Sequence, residues 1–207
     1  MATRRRADTR ARLLEAAAEV FVERGFGATS VEQVCEAAGF TRGAFYSNFS
    51  SLDELLLALV AQRHAAVVAG LGAALEQIEP APVEDLTAFV GEIVRAHLAD
   101  RRWQVLQTEL ALHALRHPAV AEQVAEHRAD LRRRVGELIA HAAGRAGRSL
   151  TVGPEELARA VLALVEGARF QTCLDPAATR TDRLLLTAVL EQYTRATGAS
   201  DGQAVRG

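Results

Sequence analysis

A chain of 207 residues, 49% hydrophobic but only 5% aromatic, can bury one or two cores without disulfides or structural metal. Its formal net charge of −2 excludes a generally basic protein that coats nucleic acid. No apolar run reaches the roughly 18 residues of a membrane span, no signal-peptide core is present, and the two cysteines make no disulfide framework, so the chain reads as soluble and cytoplasmic.

Ala, Leu and Arg recur throughout, which favours helices, and no strand signal or internal repeat interrupts them. All 24 basic residues are Arg, a bias of genome composition from which no function follows. The local asymmetry is informative: residues 1–12 hold Arg4, Arg5, Arg6, Arg10 and Arg12 against one Asp. Residues 1–8 read as a mobile basic segment, either a solvated tail or an arm reaching phosphate or minor groove. A first helix follows from about Thr9 to Arg24, with Leu13, Leu14, Ala17, Val20 and Phe21 on one stripe, and Gly25 stops it.

The stretch Thr29–Phe49 organises the rest. Ser30-Val31-Glu32-Gln33 fits a capping box, predicting a short helix from about Val31 to Ala38 with Val34, Cys35 and Ala38 inward. Gly39 stands where a left-handed stop is needed, and Phe40 can plug the corner. Thr41 is an N-cap for a second helix through Phe45 and Tyr46. Helix, glycine turn and helix make a helix-turn-helix whose second helix could enter a major groove. Arg42 is best placed to read a base edge, since Arg pairs bidentately with guanine, and Gly43 would let the backbone approach the duplex. Thr29, Ser30, Thr41, Tyr46, Ser47 and Asn48 offer hydroxyl and amide groups suited to phosphate. Core packing is the competing reading for Tyr46 and the preferred one for Phe49. Cys35 reads as a small core residue rather than a redox sensor.

Gly25-Phe26, Thr29-Ser30-Val31, Val34, Ala38-Gly39-Phe40-Thr41-Arg42-Gly43-Ala44-Phe45-Tyr46 and Phe49 together resemble the DNA-binding domain of the tetracycline-repressor (TetR) family. The resemblance covers roughly residues 9 to 60; beyond them it extends only to length and helical character. It implies a phosphate contact by the Tyr46 hydroxyl. Asn48 stands where such proteins often carry His, and Leu52 where they often carry Lys. Asn48 can still hydrogen-bond a phosphate, whereas Leu52 cannot.

Ser50, Ser51 and Asp53 can cap a fourth helix running to about Ile78, long enough to connect two domains, before Pro80 and Pro82 break it. Helices are expected from Val83 to about Asp100, from Arg101 to His117, and from Ala119 to about Ala146. Residues 144–149 form a loop. Pro154-Glu155-Glu156 opens a helix that runs to about Leu174, and a last helix spans Thr181 to Thr197. The fold class is all-α: a DNA-binding domain over 1–50, a helical effector-binding and dimerisation domain over 51–197, and a disordered tail over 198–207.

In the second domain the resemblance implies a small-molecule effector, of unknown identity, in a pocket between helices. Candidates are Phe89, Ile93, His97, Trp103, Gln107, His113, Arg169, Phe170 and Cys173, each with core or dimer surface as its alternative. The last two helices are apolar enough to need a partner, and the resemblance implies a four-helix bundle with a second copy. Leu162, Val165, Gly167, Leu185 and Val189 are the dimer candidates. A dimer also suits a palindromic double-stranded operator, whose successive major grooves lie about 34–36 Å apart. Glu109, His113 and His117 share one helical face, but that spacing is common and no metal or other cofactor is expected. With no paired nucleophile and base and no phosphate-cradling loop, the chain reads as a DNA-binding transcriptional regulator, not an enzyme, and the effector implied by the resemblance makes a ligand-released repressor the expected form. The alternatives are an all-α metal-binding or enzymatic bundle, and a regulator controlled by a protein partner.

Overall fold

The computed structural model describes residues 2–77, 100–175 and 181–197. The helix expected from Val83 onward, with Phe89, Ile93 and His97, and the tail 198–207 lie outside them. The chain divides into two compact units, Met1–Ala66 with Asp100–Arg128, and Val67–Ala99 with Ala129–Gly207.

The first unit opens with α1 (Ala2–Arg24), which presents Leu13, Leu14, Ala17, Val20 and Phe21 as one buried stripe. A 3₁₀ turn (Phe26–Ala28) leads to α2 (Val31–Ala38) and α3 (Arg42–Tyr46). The N-terminal part of α4 (Leu52–Gln77), all of α5 (Arg101–Arg116) and the start of α6 (Pro118–Arg145) complete it. Its core joins Leu13, Phe21, Phe26, Val34, Phe45, Phe49, Leu55, Leu56, Trp103, Leu106 and Leu110. Burying side chains of this size is worth roughly 1.5–3 kcal/mol each, so α5 is part of the first unit's foundation.

The second unit holds the rest of α6, α7 (Pro154–Leu174) and α8 (Thr181–Tyr193). Leu131, Val135, Ile139, Leu157, Val161, Val165, Leu186 and Leu190 form its core. Gly136 admits the start of α7: a Cβ there would lie 2.8 Å from the Pro154 carbonyl carbon and oxygen, inside any tolerable contact.

Three elements depart from the sequence reading. Residues 2–8 are helical, extending α1 to Ala2, because Ala and Arg are good helix formers and the Arg6 guanidinium donates to the Ser47 carbonyl at 3.0 Å. Part of the expected loop at 144–149, continued to Leu150, and the end of the last helix instead pair as strands β1 (Arg148–Leu150) and β2 (Thr194–Ala196), antiparallel with Ser149 opposite Arg195. Arg148 fixes that pairing: Nε donates to Thr194 Oγ1 at 2.7 Å and Nη2 to the Thr194 carbonyl at 3.0 Å. The last helix accordingly stops at Tyr193.

Candidate nucleic-acid interface

The cap chemistry written in Thr29–Phe49 sets the geometry of α2 and α3. Ser30 Oγ accepts from the Gln33 N–H at 3.4 Å while Gln33 Oε1 accepts from the Ser30 N–H at 2.8 Å, a reciprocal box. Gly39 is left-handed at φ 69°, and the Phe40 N–H returns to the Cys35 carbonyl at 2.9 Å. Thr41 Oγ1 then accepts from the Ala44 N–H at 3.3 Å and starts α3. Val34, Cys35, Ala38, Phe45 and Phe49 are buried behind this turn. Burial, and then the Glu32 carboxylate, push the Cys35 thiol upward, as suits an inert core residue.

One surface of α3 is left open. Thr41, Arg42, Gly43, Tyr46 and Ser47 are all exposed, with Tyr46 half accessible although its ring stacks edge-on against Phe45 at 5.3 Å. Arg42 Nη1 lies 3.0 Å from Glu32 Oε1, and its guanidinium sits 5.9 Å from the Tyr46 ring centroid. A hydrogen bond with Tyr46, and then the Glu32 charge, push the Arg42 pKa further up. The Glu32 carboxyl is held below the usual carboxylate range by its own backbone N–H first, then by Ser30 and Arg42.

The remaining candidates are more committed. Thr29 Oγ1 donates to the Gly25 carbonyl at 2.9 Å, and Ser30 serves its capping box. Asn48 is half-buried and gives its Nδ2 to the Ala44 carbonyl at 2.8 Å and to Ser47 Oγ at 3.3 Å. A phosphate accepts but does not donate, so Asn48 would have to surrender one of these bonds to reach it. Leu52 packs against the core.

Sequence reasoning missed how the basic N-terminal helix is used. Arg10 lies 4.8 Å from the Phe49 ring; Arg12 lies 4.8 Å from the Phe40 ring and donates to the Ala38 carbonyl at 3.1 Å. With Arg6, which reaches Ser47, these side chains brace the turn and the exit of the helix-turn-helix. It also missed the anchor from α5: the Phe26 N–H donates to Glu109 Oε2 at 3.1 Å, beside left-handed Gly25 at φ 81°.

Three effector candidates fall in this first unit. Trp103 is buried in its core. Gln107 Nε2 is 3.5 Å from His64 Nε2, and the Trp103 ring lies 5.8 Å from that imidazole. If Gln107 donates, the His64 proton sits on Nδ1, which is buried without a partner. Burial first, then Arg128 and His127, lower the His64 pKa to about 4. His113 Nε2 is 3.0 Å from Asp53 Oδ1, with its ring 4.5 Å from Phe26 and 4.2 Å from His117. Glu109 and His113 thus engage protein partners, and among the described residues no group of three or more potential ligands could hold a metal ion.

In the second unit Arg169 is buried while Phe170 and Cys173 are exposed on α7. Of the dimer candidates, Val165 is buried in the core, and Leu162 and Val189 pack against it. Leu185 is exposed, and a Cβ on exposed Gly167 would meet nothing within 4 Å. Exposed Leu174 and Leu184, absent from the sequence-derived set, join Phe170 and Leu185 as accessible apolar side chains on α7 and α8.

A capped helix, a glycine turn and a short exposed helix bearing Arg define a helix-turn-helix DNA-binding protein. Residues 13–59 match the family described as bacterial regulatory proteins, tetR family, and residues 82–199, more than half the chain, match the C-terminal domain of BetI-type transcriptional repressors. The chain belongs to the TetR family and is a transcriptional regulator, not an enzyme. It is 42% identical over 57 residues to the regulator TtgR of Pseudomonas putida, covering 28% of this chain and 27% of that one. It is 44% identical over 59 residues to the activator FasR of Mycolicibacterium smegmatis, covering 28% and 26%. Both matches span about a quarter of the relative's length. Over nearly the whole chain it is similar to SmeT, repressor of the Stenotrophomonas maltophilia multidrug efflux pump SmeDEF, at 25% identity and TM-score 0.64, covering 96% of each chain. SmeT has also been solved with triclosan, a structure to which this chain is 27% identical with TM-score 0.66, covering 97% of this chain and 96% of that one. Among the described residues no helix is long and apolar enough to cross a membrane.

Proposed function

We infer that this regulator is a cytoplasmic homodimer that represses transcription from a palindromic operator and is released by a small molecule. The observation that carries the reading is the open face of α3, where Arg42 stands among Thr41, Gly43, Tyr46 and Ser47. Arg42 reads a base edge, while Tyr46, Ser47 and Thr41 hold phosphate and fix register. Asn48, Thr29 and Ser30 contribute through the turn they stabilise.

The exposed Phe170, Leu174, Leu184 and Leu185 support dimerisation through α7 and α8, since accessible side chains of this size on adjacent helices favour burial against a second copy. Val165 is buried in the second unit's core with Leu162 and Val189 packed against it, and the open space at Gly167 suits close approach of another helix. SmeT's structure with triclosan supports a small apolar effector here too. The effector residues proposed are Trp103, Gln107 and His113 in the first unit and Arg169, Phe170 and Cys173 in the second, with Phe89, Ile93 and His97 outside the described residues. An effector that binds one dimer conformation more tightly lowers operator affinity by that difference alone, and α4 is the helical path along which residues 52–77 pass from one unit to the other.

The test is selection of bound duplexes from random DNA by the purified protein. Enrichment of a palindrome with half-sites about one helical turn or a multiple apart supports the dimeric regulator. Enrichment of a single half-site contradicts the dimer, and no enrichment contradicts the assignment of α3.

A further inference from the structure

We propose that Glu32 is a positioning residue for base recognition: its carboxylate, at 3.0 Å from Arg42 Nη1, braces the guanidinium so that its remaining N–H groups meet one base in the major groove. The proposal rests on the DNA-binding reading above and adds to it a determinant of specificity on α2, the helix that does not itself enter the groove.

Glu32 lies in the first turn of α2 and Arg42 at the first position of α3, so the pair spans the turn that sets the angle between the two helices. Both side chains are more than half exposed, at 55% and 63%, on the open side of the motif. Tyr46, one turn further along α3, is the second neighbour of the guanidinium, its ring centroid 5.9 Å away. A long Arg side chain in water loses much of its affinity to rotamer entropy when it is fixed on a base; one already held by a carboxylate beside a ring loses less. Two partners do not use all five guanidinium donors, so N–H groups remain for an acceptor on guanine.

The carboxylate also has a cost that works for specificity. In a complex with the wrong sequence, Arg42 gains most by swinging to a phosphate. That movement breaks the pair and leaves Glu32 unneutralised beside a polyanion. Glu32 therefore penalises non-cognate complexes more than the cognate one. A carboxylate on this face, in a motif that must approach phosphate, is otherwise a liability.

The experiment measures Glu32→Gln in the full-length protein against the duplex selected by the wild type, its single-base variants, and random duplex. Glutamine keeps the helix start and the side-chain length while removing the charge. Discrimination at one base position should fall by up to about fivefold, the limit for an exposed ion pair, while affinity for random duplex holds or rises. In an Arg42→Ala background the same substitution should leave discrimination unchanged. Three results overturn the proposal. Unchanged discrimination makes the pair a surface contact, and equal weakening on every duplex makes Glu32 a support for α2. An undiminished effect without Arg42 means that Glu32 contacts the base itself. Failure of the wild type to enrich any sequence is a separate result, which removes the DNA-binding reading and this proposal with it.

Discussion

His64 makes the stability of the first unit depend on acidity in a way that can be worked from its surroundings. Its imidazole lies beside Trp103 and Gln107, with Nδ1 buried and unpaired, and its pKa falls from 6.5 to about 4. Burial is the main cause, because the charged ring would lose its hydration; Arg128 and His127 add repulsion. The folded pKa lies below the unfolded one, so between pH 6.5 and 4 the unfolded chain binds the extra proton. Stability from this residue is complete above pH 6.5 and drains as pH falls through that window. At about 1.4 kcal/mol per pH unit, the loss reaches roughly 2 kcal/mol by pH 5. The assay is denaturant unfolding of the wild type and His64→Gln at intervals from pH 7.5 to 4.5. Other titrating groups cancel in the difference, and the exposed carboxyls Glu32, Glu54 and Asp130, held below their ordinary values, act lower in the range. The gap between the two proteins should shift toward the variant by that amount as pH falls. Parallel curves would refute the buried, neutral imidazole.

Two glycines test separate parts of the account. Gly43→Ala has room within the chain, the nearest atom being Thr41 Oγ1 at 3.8 Å, so melting should hold or rise slightly while specific DNA affinity falls. Unchanged affinity would mean that the α3 backbone stays clear of the duplex. Gly136→Ala sets a methyl against the Pro154 carbonyl; the strain, about 1–3 kcal/mol, outweighs the roughly 1 kcal/mol that Ala gains in a helix. Its melting temperature should fall, whereas Gly144→Ala, with nothing within 4 Å, should be neutral or stabilising. A higher melting temperature for Gly136→Ala would contradict the close approach of α6 and α7.

The parts of this fold that were legible in sequence are those written by local chemistry. Ser30 with Gln33, Gly39, and Thr41 fixed α2 and α3 to their ends, and Pro154 and Asp175 did the same for α7. What was not legible depends on partners distant in sequence. Nothing near Trp103 says that it will pack with the helix-turn-helix, and the Glu109 bond to Phe26 joins residues 83 positions apart. The small β pairing is invisible to propensity, since three residues a side carry no periodic signal and Arg148 meets Thr194 across 46 positions. The exposed face of α3 was readable as a candidate interface because burial of Val34, Phe45 and Phe49 leaves only one side free. The Glu32–Arg42 pair was not, because sequence spacing does not reveal how α2 and α3 cross.

The most direct test of the account is the affinity of the wild type and Arg42→Ala for the selected duplex and for random duplex at matched salt. If Arg42 reads a base, its loss weakens the selected duplex by roughly 5- to 150-fold, relaxes one base position, and weakens the random duplex far less. Equal weakening on both duplexes would make Arg42 a phosphate contact and contradict base recognition by α3.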